Sequence, residues 1–318
     1  MKKVLITDAI PQAGVSLLKE HFDVTMNETG NALTKEEMIE TFNNYDGIVT
    51  SLINTIDADV IKACPNVKIM ANYAVGYNNI DIEAAIRRGL IVTNTPDVLS
   101  DTTAETAWSL LFAVSRRIVE ADRYVRRGEW KKFSANLFLG KDIFNKTLGI
   151  VGAGSIGRRF AEKSRGYHMT ILYYNRHRDF EFEKQYNATY VAMDQLLSES
   201  DYVSLHVPLN EETHHLIGEE ELSLMKESAI LINTSRGPII DERALVKALE
   251  EKKLYGAGLD VFEEEPHVPQ ALLEMDNVVL LPHIGSSSIE TRDRMAELVA
   301  HNIINVLENR PPATPVTV

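Results

Sequence analysis

A glycine-rich segment has the spacing of a dinucleotide-binding turn. Gly152, Gly154 and Gly157 follow the apolar stretch TLGIV and precede the helical pattern RRFAEKSR. In such a turn the first glycine permits a tight bend, the second lets the backbone approach a pyrophosphate, and the third lets helix and strand pack closely. A strand–helix turn without a ligand would share the glycines, but strand, motif and helix in this order favour a dinucleotide site.

The residues after the next predicted strand bear on the choice between NAD and NADP. The strand Thr170–Tyr174 is followed by Asn175, Arg176, His177 and Arg178, so no carboxylate stands at its end. A carboxylate there binds the ribose 2′-hydroxyl of NAD, whereas arginine binds the 2′-phosphate of NADP. Basic residues on a solvated loop would look the same. We expect NADP(H) to be preferred, with NAD(H) as the alternative.

Three more charged side chains follow predicted strands. Arg236, Glu265 and His283 come after AILIN, GAGLDV and VVLL, respectively. Open α/β sheets bind their ligands beyond the carboxyl ends of the strands. A lone histidine, arginine or acidic turn is more often structural or solvated. Only the joint occurrence of these three residues in segments that match the motifs of one family, described below, indicates a site.

The elements that position these residues form two α/β series. Short β-branched stretches alternate with helical patterns, which is typical of parallel sheets. The sequence predicts two doubly wound parallel-sheet domains with an active site in the cleft between them. Residues 1–99 plus 286–318 form a flavodoxin-like substrate domain, and residues 100–285 a Rossmann-type NAD(P)-binding domain. We also expect one long helix from Ser100 to Gly128, followed by an aromatic arm at 129–145.

Charge and cysteine content exclude several classes of protein. The 318 residues include 33 basic and 46 acidic side chains, a net charge of −13, which disfavours nucleic acid and anionic membranes as partners. The one cysteine, Cys64, suits a reducing cytoplasm, and no apolar run reaches the length of a membrane span. His206, His214 and His215 are interpreted as structural or solvated. Nothing with the spacing of metal ligands accompanies them, so no metal is expected.

Together with NYAVGY at residues 72–77, these segments resemble the D-isomer-specific 2-hydroxyacid dehydrogenase family over essentially the whole chain. NYAVGYNNID, LYYNR and GAGLDVFEEEP are most similar to the glyoxylate/hydroxypyruvate reductase branch. The resemblance implies hydride transfer between NADP(H) and the C2 carbonyl of a small 2-oxo acid such as glyoxylate or hydroxypyruvate. Alternatives are 2-ketogluconate or phosphohydroxypyruvate as substrate, or a nucleotide-sensing protein similar to the family's corepressors.

The resemblance also implies roles for particular residues. His283 would be the acid/base, since imidazole has an ordinary pKa near ~6.5, and Glu265 would orient it. Arg236 would bind the substrate carboxylate through its fork of donors. The remaining implied substrate contacts are Leu52, Val75 and Gly76.

The implied cofactor contacts extend beyond the glycines and the Asn175–Arg178 segment. They are Thr103, Ser155, Ile156, Val207, Pro208, Thr213, Thr234, Ser235, Arg236, Asp260, His283 and Gly285. The family further implies a homodimer, with Trp130, Phe133 and Phe138 of the arm as anchors and with Leu137 or Phe138 reaching the partner's active site.

Overall fold

The computed structural model describes residues 1–317 and shows two compact units. One unit consists of residues 1–99 and the C-terminal segment from Ser286, and the other spans Ser100–Gly285. Each unit is built on a parallel β-sheet with helices between its strands. The predicted fold class, two parallel-sheet α/β domains, is therefore confirmed.

The first unit has a flavodoxin-like strand order. Its strands are β1 (Lys3–Ile6), β2 (Asp23–Met26), β3 (Gly47–Thr50), β4 (Ile69–Asn72) and β5 (Ile91–Thr93). Its first helices are α1 (Gln12–His21), α2 (Lys35–Thr41), α3 (Ala58–Ala63) and α4 (Ile82–Arg88). The sheet order is β2-β1-β3-β4-β5, and every pairing described within it is parallel. This order brings the carboxyl ends of β3 and β4 side by side.

Local sequence sets the ends of these helices. Thr34 and Glu37 form a capping box at the start of α2, with the N–H of Glu37 donating to Thr34 Oγ1 at 3.2 Å and the N–H of Thr34 donating to Glu37 Oε2 at 2.8 Å. Gly89 ends α4 in the left-handed region at φ 74°. Buried Phe42, Ile48 and Met70 pack on the sheet as part of the apolar core.

The second unit has a Rossmann-type strand order. Its strands are β6 (Thr147–Val151), β7 (Thr170–Tyr174), β8 (Ala188–Tyr190), β9 (Tyr202–Leu205), β10 (Ile230–Asn233), β11 (Gly256–Leu259) and β12 (Val278–Leu280). Its helices are α5 (Ser100–Ser115), α6 (Ile118–Arg126), α7 (Ser155–Lys163), α8 (Phe180–Tyr186), α9 (Met193–Glu199), α10 (Glu219–Leu224), α11 (Glu242–Glu250) and α12 (Gln270–Glu274). The order β12-β11-β10-β9-β6-β7-β8 reverses direction at β6. Ligands bind at such reversals.

A final helix, α13 (Ile289–Leu307), belongs to the first unit and packs along α1. Gly14 permits this contact, because a Cβ atom there would lie 2.5 Å from the carbonyl oxygen of Ala296. None of the helices described within residues 1–317 is long and apolar enough to cross a bilayer.

The prediction of one helix from Ser100 to Gly128 is wrong. The helix breaks after Ser115, and Arg117 takes a left-handed conformation at φ 53° before α6 begins. The carbonyl of Ser115 accepts a hydrogen bond from the N–H of Lys141 at 2.8 Å. A Cβ atom at Gly140 would lie 2.2 Å from that carbonyl oxygen. The arm thus packs on the end of α5 and replaces the next helical turn. Residues 129–145 contain no helix or strand, as expected.

Candidate active site

The glycine turn has the shape that a pyrophosphate requires. Gly152 has φ 98°, and a Cβ atom there would lie 2.6 Å from the carbonyl oxygen of His206. At Gly157 a Cβ atom would lie 2.1 Å from the carbonyl oxygen of Gly152. Around Gly154, by contrast, no described atom lies within 4 Å of the Cβ position. Helix α7 begins directly after Gly154, and glycine has no side chain to cap the helix. The positive end of the helix therefore faces open space. These residues fit a dinucleotide.

The basic loop after β7 contains two arginines in different environments. Arg178 forms two hydrogen bonds with Glu183, at 2.7 and 2.9 Å, and these bonds lower the pKa of that carboxylate. It also lies over the ring of Phe180, 4.8 Å from the centroid. Arg176 is 73% exposed and makes one looser contact, 3.4 Å to Glu212. Arg176 is therefore the more available cation.

The other residues of this loop frame the arginines. Asn175 is half-buried, and its carbonyl accepts a hydrogen bond from the Tyr190 hydroxyl at 3.1 Å. His177 is exposed. Asp179 caps α8 through the N–H of Phe182 and pairs with Arg158, so it does not stand at the strand end.

The loop after β9 is fixed by its own side chains. Thr213 Oγ1 donates to the carbonyl of Pro208 at 2.6 Å, and the N–H of Thr213 donates to Asn210 Oδ1 at 3.0 Å. His206 lies at the start of this loop, with Nε2 2.9 Å from Ser204 Oγ. Burial lowers the pKa of His206 to about 3, so it is neutral at neutral pH. The interpretation of His206 as structural agrees with this environment.

Arg236 lies directly beyond β10 in a largely enclosed position. Its Nη1 donates to the carbonyl of Ser235 at 2.7 Å, and its own carbonyl accepts from Asn233 Nδ2 at 2.8 Å. Burial lowers the pKa of the guanidinium, and the nearby carboxylate of Glu265 opposes that shift. Arginine keeps its charge throughout the ordinary pH range. A partly dehydrated cation thus stands at the carboxyl edge of the sheet. Beside it, Thr234 Oγ1 is buried and has no hydrogen-bond partner among the described residues.

Glu265 and His283 form a hydrogen-bonded pair on the loops after β11 and β12. Glu265 Oε2 lies 2.7 Å from His283 Nδ1, and Oε1 accepts from the N–H of Phe262 at 3.1 Å. Burial raises the pKa of Glu265, but the hydrogen bond and charge of His283, with the charge of Arg236, lower it below the ordinary value overall. The side chain of His283 is 31% exposed and that of Glu265 is 35% exposed. The carboxylate is therefore ionised and still accessible from solvent.

Asp260 fixes the loop that carries His283. Its two oxygens accept the N–H groups of Ile284 and Gly285, both at 2.7 Å, and its carbonyl accepts the N–H of His283 at 2.8 Å. The side chain is fully buried, which raises its pKa. His283 is held at φ 54°, an uncommon conformation for a residue with a side chain. Buried Thr103 lies against Gly285, 3.4 Å from its Cβ position.

In the first unit, the predicted substrate contacts lie on two loops joined by amide side chains. Leu52, Val75 and Gly76 are half-buried. Asn72 Nδ2 donates to the carbonyl of Gly76 at 2.8 Å. Asn79 Nδ2 donates to the carbonyls of Ser51 and Asn54, at 3.1 and 3.2 Å, and so holds the first loop to the second.

Sequence reasoning assigned no role to these asparagines or to Asn94, whose Nδ2 donates to the carbonyl of Val75 at 2.8 Å. The available signal was that Asn72 and Asn79 belong to NYAVGYNNID and that Asn94 follows this segment.

The Rossmann-type sheet, the open glycine turn and the Arg–Glu–His edge together define an NAD(P)-dependent oxidoreductase. Residues 108–285 match the family model "D-isomer specific 2-hydroxyacid dehydrogenase, NAD binding domain". Among curated proteins, the chain is 51% identical over 316 residues to a glyoxylate reductase of Thermococcus onnurineus, covering 98% of this chain and 95% of the relative. It is also 51% identical to a glyoxylate reductase of Korarchaeum cryptofilum, covering 95% and 92%.

Solved structures agree. An NADPH-dependent glyoxylate/hydroxypyruvate reductase from Sinorhizobium meliloti, in complex with NADP and malonate, matches with a TM-score of 0.91 and 32% identity over 99% of this chain and 97% of that one. The chain belongs to the D-isomer-specific 2-hydroxyacid dehydrogenase family. It is a 2-oxoacid reductase, in the glyoxylate reductase branch, that acts on 2-hydroxy acids and their 2-oxo forms.

Proposed function

We propose that this protein reduces glyoxylate, or a 2-oxo acid of similar size such as hydroxypyruvate, to the hydroxy acid, with NADPH as the preferred donor. The observation that carries the proposal is the grouping of Arg236, Glu265 and His283 at one edge of the Rossmann-type sheet. The names of the relatives support the choice of substrate. We assign cofactor binding to the second unit, and substrate binding to the first unit together with Arg236 of the second.

Each catalytic side chain has one role in this proposal. His283 Nδ1 is held by Glu265, so Nε2 is the nitrogen that gives its proton to the carbonyl oxygen as reduction proceeds. The ionised Glu265 selects this tautomer and stabilises the imidazolium before transfer. Arg236 binds the substrate carboxylate, because its planar fork matches two carboxylate oxygens. The nicotinamide, when bound, supplies the hydride to C2.

The first unit contributes binding groups to this proposal. The backbone of Val75 and Gly76 supplies N–H donors to the substrate carboxylate, and Leu52 forms an apolar wall. Asn94 Nδ2 donates to the carbonyl of Val75, which shares its peptide with the Gly76 N–H. The N–H of Thr95 donates at 2.9 Å to the carbonyl of Ala74, which shares its peptide with the Val75 N–H. The N–H groups are thereby oriented before the substrate arrives, which lowers the entropic cost of binding.

The preference for NADPH rests on Arg176. The absence of a carboxylate at the end of β7 and the exposure of Arg176 support binding of a 2′-phosphate. Titration calorimetry with NADP⁺ and NAD⁺ tests this. Arg176→Ala is expected to weaken NADP⁺ binding at least about tenfold and NAD⁺ binding little. Arg178→Ala, at the other predicted arginine contact of this loop, should weaken NADP⁺ binding less than Arg176→Ala does, since Arg178 is engaged by Glu183. Equal loss for both cofactors in Arg176→Ala would contradict the assignment.

We further propose a homodimer formed through the arm at 129–145. Trp130, Phe133 and Leu139 are 59%, 84% and 63% exposed, an unusual apolar surface for a monomer. Phe138 is held in its own chain, 5.2 Å from the Tyr124 ring and 5.1 Å from Arg117, so Trp130 and Phe133 are the stronger anchors. Light scattering should give twice the chain mass, and Phe133→Ser should raise the dimer dissociation constant. A monomer at micromolar concentration would overturn this.

The direct test of the proposed activity is the oxidation of NADPH and NADH with a panel of 2-oxo acids. Glyoxylate and hydroxypyruvate should give the highest kcat/KM, above pyruvate, 2-ketogluconate and phosphohydroxypyruvate. Faster turnover of a larger or phosphorylated acid would contradict the substrate assignment and leave the reaction class standing.

A further inference from the structure

His215 joins the two loops that carry Arg236 and Glu265. Its backbone N–H donates to the carbonyl of Pro238, two residues after Arg236, at 2.8 Å. Its ring Nε2 hydrogen-bonds Glu263 Oε1, two residues before Glu265. One residue on the loop after β9 therefore touches both of the segments that position the charged edge.

The backbone of His215 is itself well fixed. It lies at φ 51°, immediately after the turn that Asn210 and Thr213 hold closed. Two residues later, the N–H of Ile217 donates to the carbonyl of Ile239 at 3.1 Å. The segment thus runs along the short 3₁₀ helix Gly237–Ile239 that follows Arg236. Because the backbone of His215 is fixed, its ring is placed to hydrogen-bond Glu263.

The loop that His215 contacts is packed closely against the Arg236 loop. A Cβ atom at Gly237 would lie 1.9 Å from the carbonyl of Phe262. The N–H of Glu263 donates to Glu242 Oε1 at 3.4 Å, and the N–H of Phe262 donates to Glu265 Oε1 at 3.1 Å. Because only one residue separates Glu263 from Glu265, a displacement of Glu263 would also displace Glu265.

The charges around this contact are mostly acidic. Burial raises the pKa of Glu242, and the charges of Glu263 and Glu264 raise it further, whereas the N–H of Glu263 and the charge of His267 lower it. His214 lies against His215, with ring centroids 4.1 Å apart. The Glu263 side chain is 23% exposed and that of His215 is 40% exposed, so the pair is partly shielded from solvent on the Glu263 side. No group of three His, Cys, Asp or Glu side chains that could hold a metal ion occurs among the described residues.

We propose that His215 is a positioning residue for the reaction. By bonding Glu263 it holds the loop Phe262–Pro266, so that the Glu265 carboxylate stays on His283 Nδ1. The proposal rests on the catalytic roles assigned above to Glu265 and His283. It gives a function to a histidine that the sequence suggested was merely structural or solvated, and it is distinct from substrate or cofactor contact.

The test compares His215→Ala with His214→Ala, its neighbour on the same loop. Reduction requires protonated His283, and an imidazolium without its carboxylate partner loses its proton at lower pH. We therefore expect the alkaline limb of the kcat/KM profile to move to lower pH in His215→Ala, with kcat reduced about tenfold. The KM for glyoxylate and the dissociation constant of NADP⁺ should stay near wild type. His214→Ala removes the ring that lies against His215 but keeps the bond from His215 to Glu263, so its kinetics should stay much closer to wild type than those of His215→Ala.

Variants of Glu263 and Glu265 make the result decisive. Glu263→Gln keeps an acceptor for His215 and should restore most of the activity that Glu263→Ala loses. His215→Ala and Glu263→Ala should not add in the double variant, because both break one contact. Glu265→Gln provides the reference, since it removes the carboxylate itself and should move the alkaline limb at least as far.

Three results would overturn the proposal. One is a profile for His215→Ala identical to that of His214→Ala. Another is a lower melting temperature and lower kcat with an unmoved alkaline limb, which indicates general destabilisation. If Glu265→Gln also leaves the limb unmoved, the catalytic assignment fails first and the role of His215 fails with it.

Discussion

The two sheets present different chemistry at their carboxyl edges. After β3 and β4 in the first unit, the loops are held by neutral amides, with Asn79 donating to the carbonyls of Ser51 and Asn54. After β10, β11 and β12 in the second unit, the loops carry Arg236, Glu265 and His283. Neutral amides fix the backbone without carrying charge, whereas a hydrogen-bonded carboxylate and imidazole can transfer a proton. In the proposed function, the first edge contributes binding groups alone, whereas the second contributes Arg236 to substrate binding and Glu265 and His283 to proton transfer.

The largest effect is expected at His283. His283→Ala removes the proton donor, and general acid catalysis contributes about 10²- to 10⁴-fold, so kcat should fall by that order. Stopped-flow measurement of NADPH consumption checks this at saturating substrate. NADP⁺ binding by calorimetry is the control and should change little. Turnover close to wild type would show that the edge after β12 does not carry the chemistry.

Arg236 tests whether the charged edge also binds the substrate carboxylate. Arg236→Lys keeps the charge and loses the planar fork, so the KM for glyoxylate should rise by about tenfold to a hundredfold. Steady-state kinetics provide the measurement. An unchanged KM would contradict the role of Arg236 and would indicate that only the first unit recognises the substrate carboxylate.

Glu265 gives the pH dependence of the charged edge. Its folded pKa lies below the ordinary value, so the carboxylate stays ionised, and its stabilising pair with His283 is lost only as pH falls through that lowered pKa. Glu265→Gln should cut kcat about tenfold and move the alkaline limb of the reduction profile to lower pH. The measurement is the reduction rate of Glu265→Gln from acid to alkaline pH. An alkaline limb that moves to higher pH would contradict the proposed role of Glu265.

A substitution at Asn79, which joins the loops after β3 and β4, should have a smaller effect, on stability and KM rather than on kcat. Asn79→Asp replaces the Nδ2 donor by an oxygen that faces the carbonyls of Ser51 and Asn54. Leaving those buried acceptors unmatched costs about 1–3 kcal/mol of unfolding free energy. We expect a lower denaturation midpoint and a KM raised a few fold, with kcat nearly unchanged. Asn79→Ala removes the same donor without adding charge and should lower the denaturation midpoint in the same direction; a midpoint equal to wild type in both variants would remove the special role of Asn79.

Features set by local sequence were predictable. The glycine turn, the capping box at Thr34 and the end of α4 at Gly89 depend on spacing within a few residues. Arg236, Glu265 and His283 were selected by a family resemblance, because no local pattern relates three residues on three strands. The strands β2 and β8 are hard to predict from sequence, since they are edge strands of only four and three residues.

Features set by distant contacts were not predictable. The break after Ser115 depends on Gly140 and Lys141, which pack on the end of the helix from the arm. The pairing of His215 with Glu263 joins residues 48 positions apart. The engagement of Arg178 by Glu183 spans only five residues, but it depends on the start of α8. Such contacts follow from tertiary structure, which sequence patterns do not encode locally.

The most direct test compares initial rates of glyoxylate reduction at saturating NADPH in the wild type, His283→Ala and Asn79→Asp. The account predicts that His283→Ala loses kcat by at least about a hundredfold, while Asn79→Asp keeps kcat and raises KM. Loss of kcat in Asn79→Asp together with near-normal turnover in His283→Ala would contradict the placement of proton transfer at the second edge and of binding groups alone at the first.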